Sequence, residues 1–410
     1  MSAPTPRLRI AHVVDYLMPL MGYQEYLLPK WNARHGHEVH IFTTDRYAPV
    51  PDYDDTFGRL MGARVVGAGV AQMDGMSVHR LPTTWEFRMR PWIGGLERAI
   101  RKVAPQVIFC HGSTSTTALR VARLAKREGV PVLMDNHMVF SVMNTSPAGR
   151  AFVRVLQLVT RRTMDPVTHR FLGVADECCD YLRKVQGVPP DKVENLPLGL
   201  DTELFAPDPA AGEQLRNRLG IPAGAKVVMQ TGKLTRDKSP EWLAQAMAKL
   251  MVAHPNVWLV FVGSGSEEYQ RAITAPIRAV GAEDRLRFTP LIPARELSGY
   301  YTMADVCVYP NGTSLSCVEA AACGRAVVMT DLPASRWRAE LGVGVCYRTG
   351  DIADLERTLE SILSDDDHRA ELGQRASSTV KREFSYDAVA SRSEHLMFDA
   401  IASFNVARRK

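Results

Sequence analysis

The sequence predicts an α/β protein made of two parallel sheets, each carrying helices on both faces. Three observations predict it. Short apolar runs alternate with helical segments at the spacing of strand-helix-strand units in both halves of the chain. A Pro- and Gly-rich stretch, Asn195 to Pro207, separates two runs of that alternation. The length, 410 residues with 46% hydrophobic and 23% charged, suffices for two full cores.

Taken in order, residues 8–14, RIAHVVD, read as a buried strand, and the loop Asp15–Gly22 leads into a helix from Tyr23 to His35. Gly36 returns the chain to a strand, Glu38–Thr44. Strand and helix pairs follow at Gln106–Cys110 with Thr116–Glu128, and at Val130–Met134 with Pro147–Met164. Phe171–Val174, a helix from Asp176 to Val185, and Val193–Leu196 complete the first half. After a loop, Asp208–Ala225, strands are expected at Lys226–Gln230, Val257–Val262, Leu286–Thr289, Val306–Tyr309 and Ala326–Met329. The last helix, Tyr386 to Phe404, carries apolar Val389, Leu396, Met397 and Ile401.

Composition excludes several classes. No run approaches the roughly 18 apolar residues of a membrane span, and MSAPTPRLRI lacks the apolar stretch of a secretion signal. Seven cysteines without paired spacing read as reduced, mostly buried thiols of a cytoplasmic protein. Net charge is +5: 25 Lys/Arg against 18 Asp/Glu give +7 in residues 1–200, and 25 against 27 give −2 in 201–410. The basic first half fits an anionic surface or substrate, or a solvated arginine-rich face.

Chemistry concentrates between Tyr300 and Asp331. The strand Val306–Tyr309 ends in the turn Pro310-Asn311-Gly312, and Ser314 and Ser316 are placed to cap a helix bearing Glu319. Gly324 stops that helix and a second strand follows. Parallel sheets bind ligands at the carboxyl ends of their strands, where free N–H groups meet an anion. The loop Pro310–Ser316, with Gly312, Ser314, Leu315 and Ser316, is therefore the expected seat of a phosphorylated ligand, and Glu319 is one turn away for sugar hydroxyls. Lys233 and Lys238 follow another strand end, and Gly232 allows close backbone approach. Two ammonium groups on a diphosphate would stabilise a leaving group as its charge develops; two solvated lysines have the same spacing.

This arrangement resembles the retaining GT-B glycosyltransferases of family 4. Glu319-Ala-Ala-Ala-Cys-Gly324 matches the family's Glu-Ala-x-Ala-x-Gly, Gly232-Lys233-Leu234-x-x-x-Lys238 its lysine motif, and Gly36-His37-Glu38-Val39 a tetrapeptide of its opening. Asn195–Pro207 is similar to its interdomain signature. Asn311 stands where the family has its first glutamate, and Leu198 where it has asparagine. The resemblance implies two Rossmann-like domains facing across a cleft: residues 1–200 for the acceptor, 201–385 for the donor, and 386–410 a helix crossing back. It also implies donor contacts from Gly22, Gly263, Gly265, Leu291 and Ile292, and catalytic roles for Lys233, Lys238, His137 and Asn311. Val262-Gly263-Ser-Gly265-Ser-Glu-Glu268 is not a dinucleotide fingerprint, because Glu268 replaces the third glycine, so no nicotinamide cofactor is expected.

His137 and His111 each follow a strand end and are candidates for donor-sugar or acceptor contacts, or structural hydrogen-bonding residues. No Asp-x-Asp sits at a strand end, so no metal is expected, and the leaving phosphate oxygen would take the acceptor's proton. The segment His79–Ile93 interleaves Arg80, Arg88 and Arg90 with Trp85, Phe87 and Trp92, which suits a phosphate-bearing lipid-linked acceptor or the inner face of a membrane, or a loop packing its own aromatics. Ala151–Met164, with Arg150, Arg154, Arg161 and Arg162, is a second such stretch. The expected reaction takes a sugar from a nucleoside diphosphate sugar, UDP- or GDP-linked, to a hydroxyl of a lipid-linked or envelope glycan such as a lipopolysaccharide precursor. A small-metabolite acceptor, a non-catalytic nucleotide-sugar-binding subunit and an epimerase are the alternatives, and no nucleic-acid partner is expected.

Overall fold

The computed structural model describes residues 6–51, 53–54, 57–87, 89–139, 147–312 and 314–409. The chain divides into two compact units, one running from the N-terminus through Gly199 and resuming at Tyr386, the other Leu200–Ser385.

The first unit holds β1 (Arg9–Val13), β2 (Glu38–Thr44), β3 (Gly69–Met73), β4 (Met76–Leu81), β5 (Thr83–Phe87), β6 (Arg90–Ile93), β7 (Val107–Cys110), β8 (Val132–Asn136), β9 (Thr168–Gly173) and β10 (Val193–Asn195). Eight of them form one sheet in the order β10-β9-β8-β7-β1-β2-β4-β3, while β5 and β6 make a separate antiparallel hairpin. Every neighbour pair in the large sheet is parallel except β3 with β4. Strands of such a sheet are covered on both faces, so β7 and β8 are buried throughout and read as apolar runs rather than alternating ones.

The second unit holds β11 (Lys226–Thr231), β12 (Val257–Val262), β13 (Leu286–Thr289), β14 (Val306–Tyr309), β15 (Ala326–Thr330) and β16 (Val345–Tyr347). They form one parallel sheet, β13-β12-β11-β14-β15-β16. β11 lies centrally beside β14, so the loops after these two strands emerge side by side at the carboxyl edge.

Two local expectations need correction. Asp208–Ala225 is not a plain loop: Asp208 caps the helix Pro209–Arg218, its carboxylate accepting the Ala211 N–H at 3.0 Å. His79–Ile93 is not a loop either, since β4 ends in it and β5 and β6 pair within it. The terminal helix, Tyr386–Arg409, buries Val389, Ala390, Leu396 and Met397 against Leu8, Ile10 and Leu28 of the first unit. At the junction the Leu200 N–H donates to the Phe384 carbonyl at 2.6 Å, and Leu200 bridges Ser385. Among the described residues no helix is long and apolar enough to cross a membrane.

Candidate active site

In the second unit, β11 delivers Thr231 to Gly232, whose φ of 121° is open only to glycine at low cost. A short turn, Arg236–Lys238, then leads through Ser239 into the helix Pro240–Ala253. β14 delivers Pro310-Asn311-Gly312 alongside. The two loops touch: Asn311 Nδ2 donates to Ser239 Oγ at 3.1 Å, and a Cβ on Gly312 would lie 3.0 Å from Lys238 Nζ. The Lys238 ammonium thus rests on the glycine turn beside Asn311, whose own Oδ1 accepts the Gly312 N–H at 2.9 Å.

Glu319 begins the second turn of the helix Ser316–Ala322 and is held by a chain of hydroxyls. Tyr301 donates to Glu319 Oε2 at 2.6 Å, Thr231 Oγ1 lies 3.2 Å from the Tyr301 hydroxyl and 3.1 Å from that of Tyr309, and Tyr309 donates to the Ser316 carbonyl at 2.6 Å. Burial raises the Glu319 carboxyl, while the Tyr301 and Ser316 hydroxyls pull it back down. Two protein hydroxyls therefore hold this carboxylate. Ser314, not Ser316, closes the start of this helix, its Oγ accepting the Ser316 N–H at 3.1 Å; Ser316 is the first helical residue. Arg338 braces the same loop by donating to the Ser314 carbonyl at 3.0 Å.

Gly263 and Gly265 follow β12. A Cβ on Gly263 would overlap the Gly232 carbonyl oxygen, and one on Gly265 would stand 2.7 Å from Leu234 Cβ. Close approach of the two loops accounts for both glycines without a ligand. Leu291 is exposed, whereas Ile292 packs partly on the core.

In the first unit, Gly22 is exposed with φ 69° and precedes the helix Gln24–Arg34. Gln24, the first residue of that helix, is 2% exposed, and neither its Oε1 nor its Nε2 has a hydrogen-bond partner. An orphaned buried amide beside free helical N–H groups is a ready contact for a ligand or water. Asp15, beyond β1, is bonded by the Thr117 hydroxyl; burial pushes its carboxyl up to about 6 against the pull of Thr117 and Arg90.

His137 follows β8 with its side chain 36% exposed, its Nε2 lying 3.6 Å from Asp135 Oδ2. Burial would lower the imidazole, but the Asp135 carboxylate outweighs it and lifts the group to about 9. His111 fits the structural hydrogen-bonding alternative. It is buried, with Nδ1 2.8 Å from Asp135 Oδ2 and Nε2 3.1 Å from His12 Nδ1, so both nitrogens are engaged inside the unit.

The family model for Glycosyl transferases group 1 matches residues 212–379, and that for Glycosyltransferase Family 4 matches residues 28–204. A D-inositol 3-phosphate glycosyltransferase of Corynebacterium glutamicum is 27% identical over 429 residues, spanning 97% of this chain and 98% of the relative. The chain belongs to the family 4 GT-B glycosyltransferases. Solved structures of the same fold include a glycosyltransferase from Rickettsia africae, with TM-score 0.71, 13% identity and coverage of 97% of this chain and 99% of that one. Another is the HepE protein of Anabaena in complex with UDP, with TM-score 0.67, 16% identity and coverage of 96% and 100%.

For a family 4 glycosyltransferase, the second unit brings Gly232, Lys238, Asn311, Gly312 and Glu319 to one edge of its sheet, with Lys233 next to Gly232 and Leu315 partly buried on the core. On the first unit, Trp85 and Trp92 are 56% and 44% exposed, the Arg120 guanidinium sits 4.3 Å from the Trp92 ring centroid, and Arg90 donates to the Thr114 carbonyl at 3.0 Å. Arg88 lies outside the described residues. The motifs passed over Tyr301, Tyr309, Thr231 and Arg338. A signal existed for the tyrosines only in hindsight, since Tyr300-Tyr301 reads as ordinary apolar spacing.

Proposed function

We propose that the enzyme is a retaining, metal-independent transferase moving a sugar from a nucleoside diphosphate sugar, held by residues 200–385, to a hydroxyl of a small, hydroxyl-rich acceptor held by the first unit. The observation that carries it is the convergence of Lys238 Nζ, Asn311 and Gly312 at the carboxyl edge of β11 and β14. As the bond from the anomeric carbon to the diphosphate breaks, negative charge grows on the leaving oxygen, where the Lys238 and Lys233 ammonium groups stabilise it. That oxygen takes the proton of the incoming hydroxyl on the same face, so configuration is retained. Glu319, held by the Tyr301 and Ser316 hydroxyls, keeps lone pairs for a donor hydroxyl, and Asn311 offers a neutral amide to the sugar.

A UDP donor is supported by the HepE structures with UDP and with UDP-glucose. The small acceptor is supported by relatives named D-inositol 3-phosphate glycosyltransferase. A lipid-linked acceptor is the second reading, favoured by Trp85, Phe87, Met89, Phe152, Val155 and Leu158, all exposed near arginines.

Isothermal titration with UDP-, GDP-, ADP- and TDP-sugars, paired with donor hydrolysis, tests the reading. One donor should bind and turn over, and Lys238→Ala should lower turnover by about 10²- to 10³-fold. Binding without turnover in the presence of polyol and lipid acceptors would instead make the chain a nucleotide-sugar-binding subunit, and an altered sugar without an acceptor would make it an epimerase.

A further inference from the structure

A continuous line of buried polar side chains crosses the first unit from the terminal helix to β8. Glu394 Oε1 accepts from Asn32 Nδ2 at 2.7 Å and from His35 Nδ1 at 2.9 Å. Asn32 Oδ1 lies 3.2 Å from His12 Nε2, His12 Nδ1 3.1 Å from His111 Nε2, and His111 Nδ1 2.8 Å from Asp135 Oδ2. Asp135 Oδ1 takes the Gly112 N–H at 2.7 Å, leaving Oδ2 to be shared by His111 and, at 3.6 Å, His137.

Counting protons along this line decides its charge. Glu394 is a carboxylate, so Asn32 must present its amide N–H₂ to it and its oxygen to His12. His12 therefore needs a proton on Nε2, and His111 needs one on Nδ1 to reach the Asp135 carboxylate. The bond between the two imidazoles requires a third. Two neutral imidazoles carry only two. We infer that the His12–His111 pair holds one extra proton, that it resides on His111 as a buried imidazolium, and that Glu394, through Asn32, is the positioning residue that imposes it.

The assignment to His111 follows from its neighbours. It faces a carboxylate directly, whereas His12 is fully buried, bonded to the Asn32 amide and to His111 and stacked on the Phe109 ring, and feels Asp135 only as its weakest influence. Burial and the charge of His111 both lower His12, while His111 and His137 together hold Asp135 well below the usual carboxylate range against its burial. The other charged groups along the line are His35, His37, Asp387 and Glu25: His37 Nε2 lies 3.6 Å from Glu394 Oε2, Asp387 pairs with His35 at 3.0 Å, and the Glu25 carboxylate adds to the pull on His137. Its consequence for transfer rests on His137 serving the reaction as proposed above; the protonation state does not. A charged His111 balances Asp135 and moderates its pull on His137. Breaking the line removes the need for the third proton; a neutral His111 still donates Nδ1–H to Asp135, but His137 alone then balances the carboxylate's charge.

Imidazole nitrogen NMR on histidine-labelled protein, with His111 assigned by its loss in His111→Gln, reads this directly. The expected spectrum at pH 7 has both His111 nitrogens protonated and His12 neutral with its proton on Nε2. In Glu394→Leu, and in Asn32→Ala should the first not fold, His111 should become neutral at pH 7 and the His137 midpoint should rise by about half a unit or more. Glu394→Gln, whose amide oxygen still accepts from Asn32, should keep the wild-type pattern. A neutral His111 in the wild type, or one unaltered by both disrupting variants, would overturn the inference. An unshifted pH profile of transfer with the NMR pattern as expected would instead remove His137 from the reaction.

Discussion

Gly263 illustrates how a residue's type can be legible while its reason is not. Gly-Ser-Gly after a strand reads as a ligand loop, yet its φ of 152° and the Gly232 carbonyl against it already demand glycine. Gly263→Ala should cost about 3 kcal/mol in urea unfolding, through backbone strain and displacement of the Gly232 loop. Ser264→Ala, next to it, should be nearly neutral. The placement of the lysine motif and of Glu319 at strand ends was legible because it is local: each stands a few residues beyond one strand, after β11 and β14. The hydroxyl chain Tyr301–Thr231–Tyr309 and the histidine line were not, since each link joins residues that only the sheet order brings together. His12, inside RIAHVVD, looked like one polar letter in a buried strand, and nothing in its neighbourhood of the sequence names Asn32 or His111 as partners.

At the scale of elements, strands buried on both faces were readable from apolar runs alone, as with Val257–Val262. β3, β5 and β6 were not, because β3 is GVAQM with almost every residue exposed, β5 is largely exposed without alternation, and β6 alternates over only four residues, one of them proline. The terminal helix joins its unit through polar as well as apolar contacts, and these titrate. Burial would raise Glu394, but His35, His37 and Asn32 hold its carboxyl at about 2. A depressed carboxylate contributes its stability fully above the unfolded value near 4.3 and loses it as pH falls toward the folded value, here on the order of 3 kcal/mol. Glu394 likewise raises His35 against the opposing effect of burial, and that contribution is present below about 6.5 and fades above the raised value. Hydrogen exchange should therefore show Tyr386–Arg409 losing protection between about pH 4.5 and 2, before the strands of the second unit. Glu394→Gln should flatten that pH dependence, and an unchanged acid profile in the variant would refute the assignment.

Over the whole molecule, the excess of basic charge and most of the exposed large apolar side chains fall in the same half of the sequence. The excess of +7 lies in residues 1–200, as do exposed Trp85, Met89, Phe152, Val155 and Leu158. Arginine-rich faces with apolar side chains bind anionic lipid surfaces at about 1 kcal/mol per basic residue and release them with salt. Sedimentation with anionic vesicles should thus be strong at low salt, fall by about tenfold or more toward 0.5 M, and weaken in Phe152→Ser/Val155→Ser. Equal binding to neutral vesicles, or none at low salt, would leave the small, freely diffusing acceptor as the sole reading.

The junction at Leu200 and Ser385 has a consequence for how such enzymes diversify. Because the second unit begins and ends on two hydrogen-bonded neighbours, Leu200 and Phe384, it is in effect a cassette spliced into the host's chain between Gly199 and Tyr386. Replacing residues 200–385 with the equivalent segment of a relative alters the chain at a single place in space, though at two in sequence. On the proposed division of substrates, recombination at that point would exchange the donor preference while leaving the acceptor preference untouched, and the host's last helix, translated after the insert, is the piece that completes the host's own core.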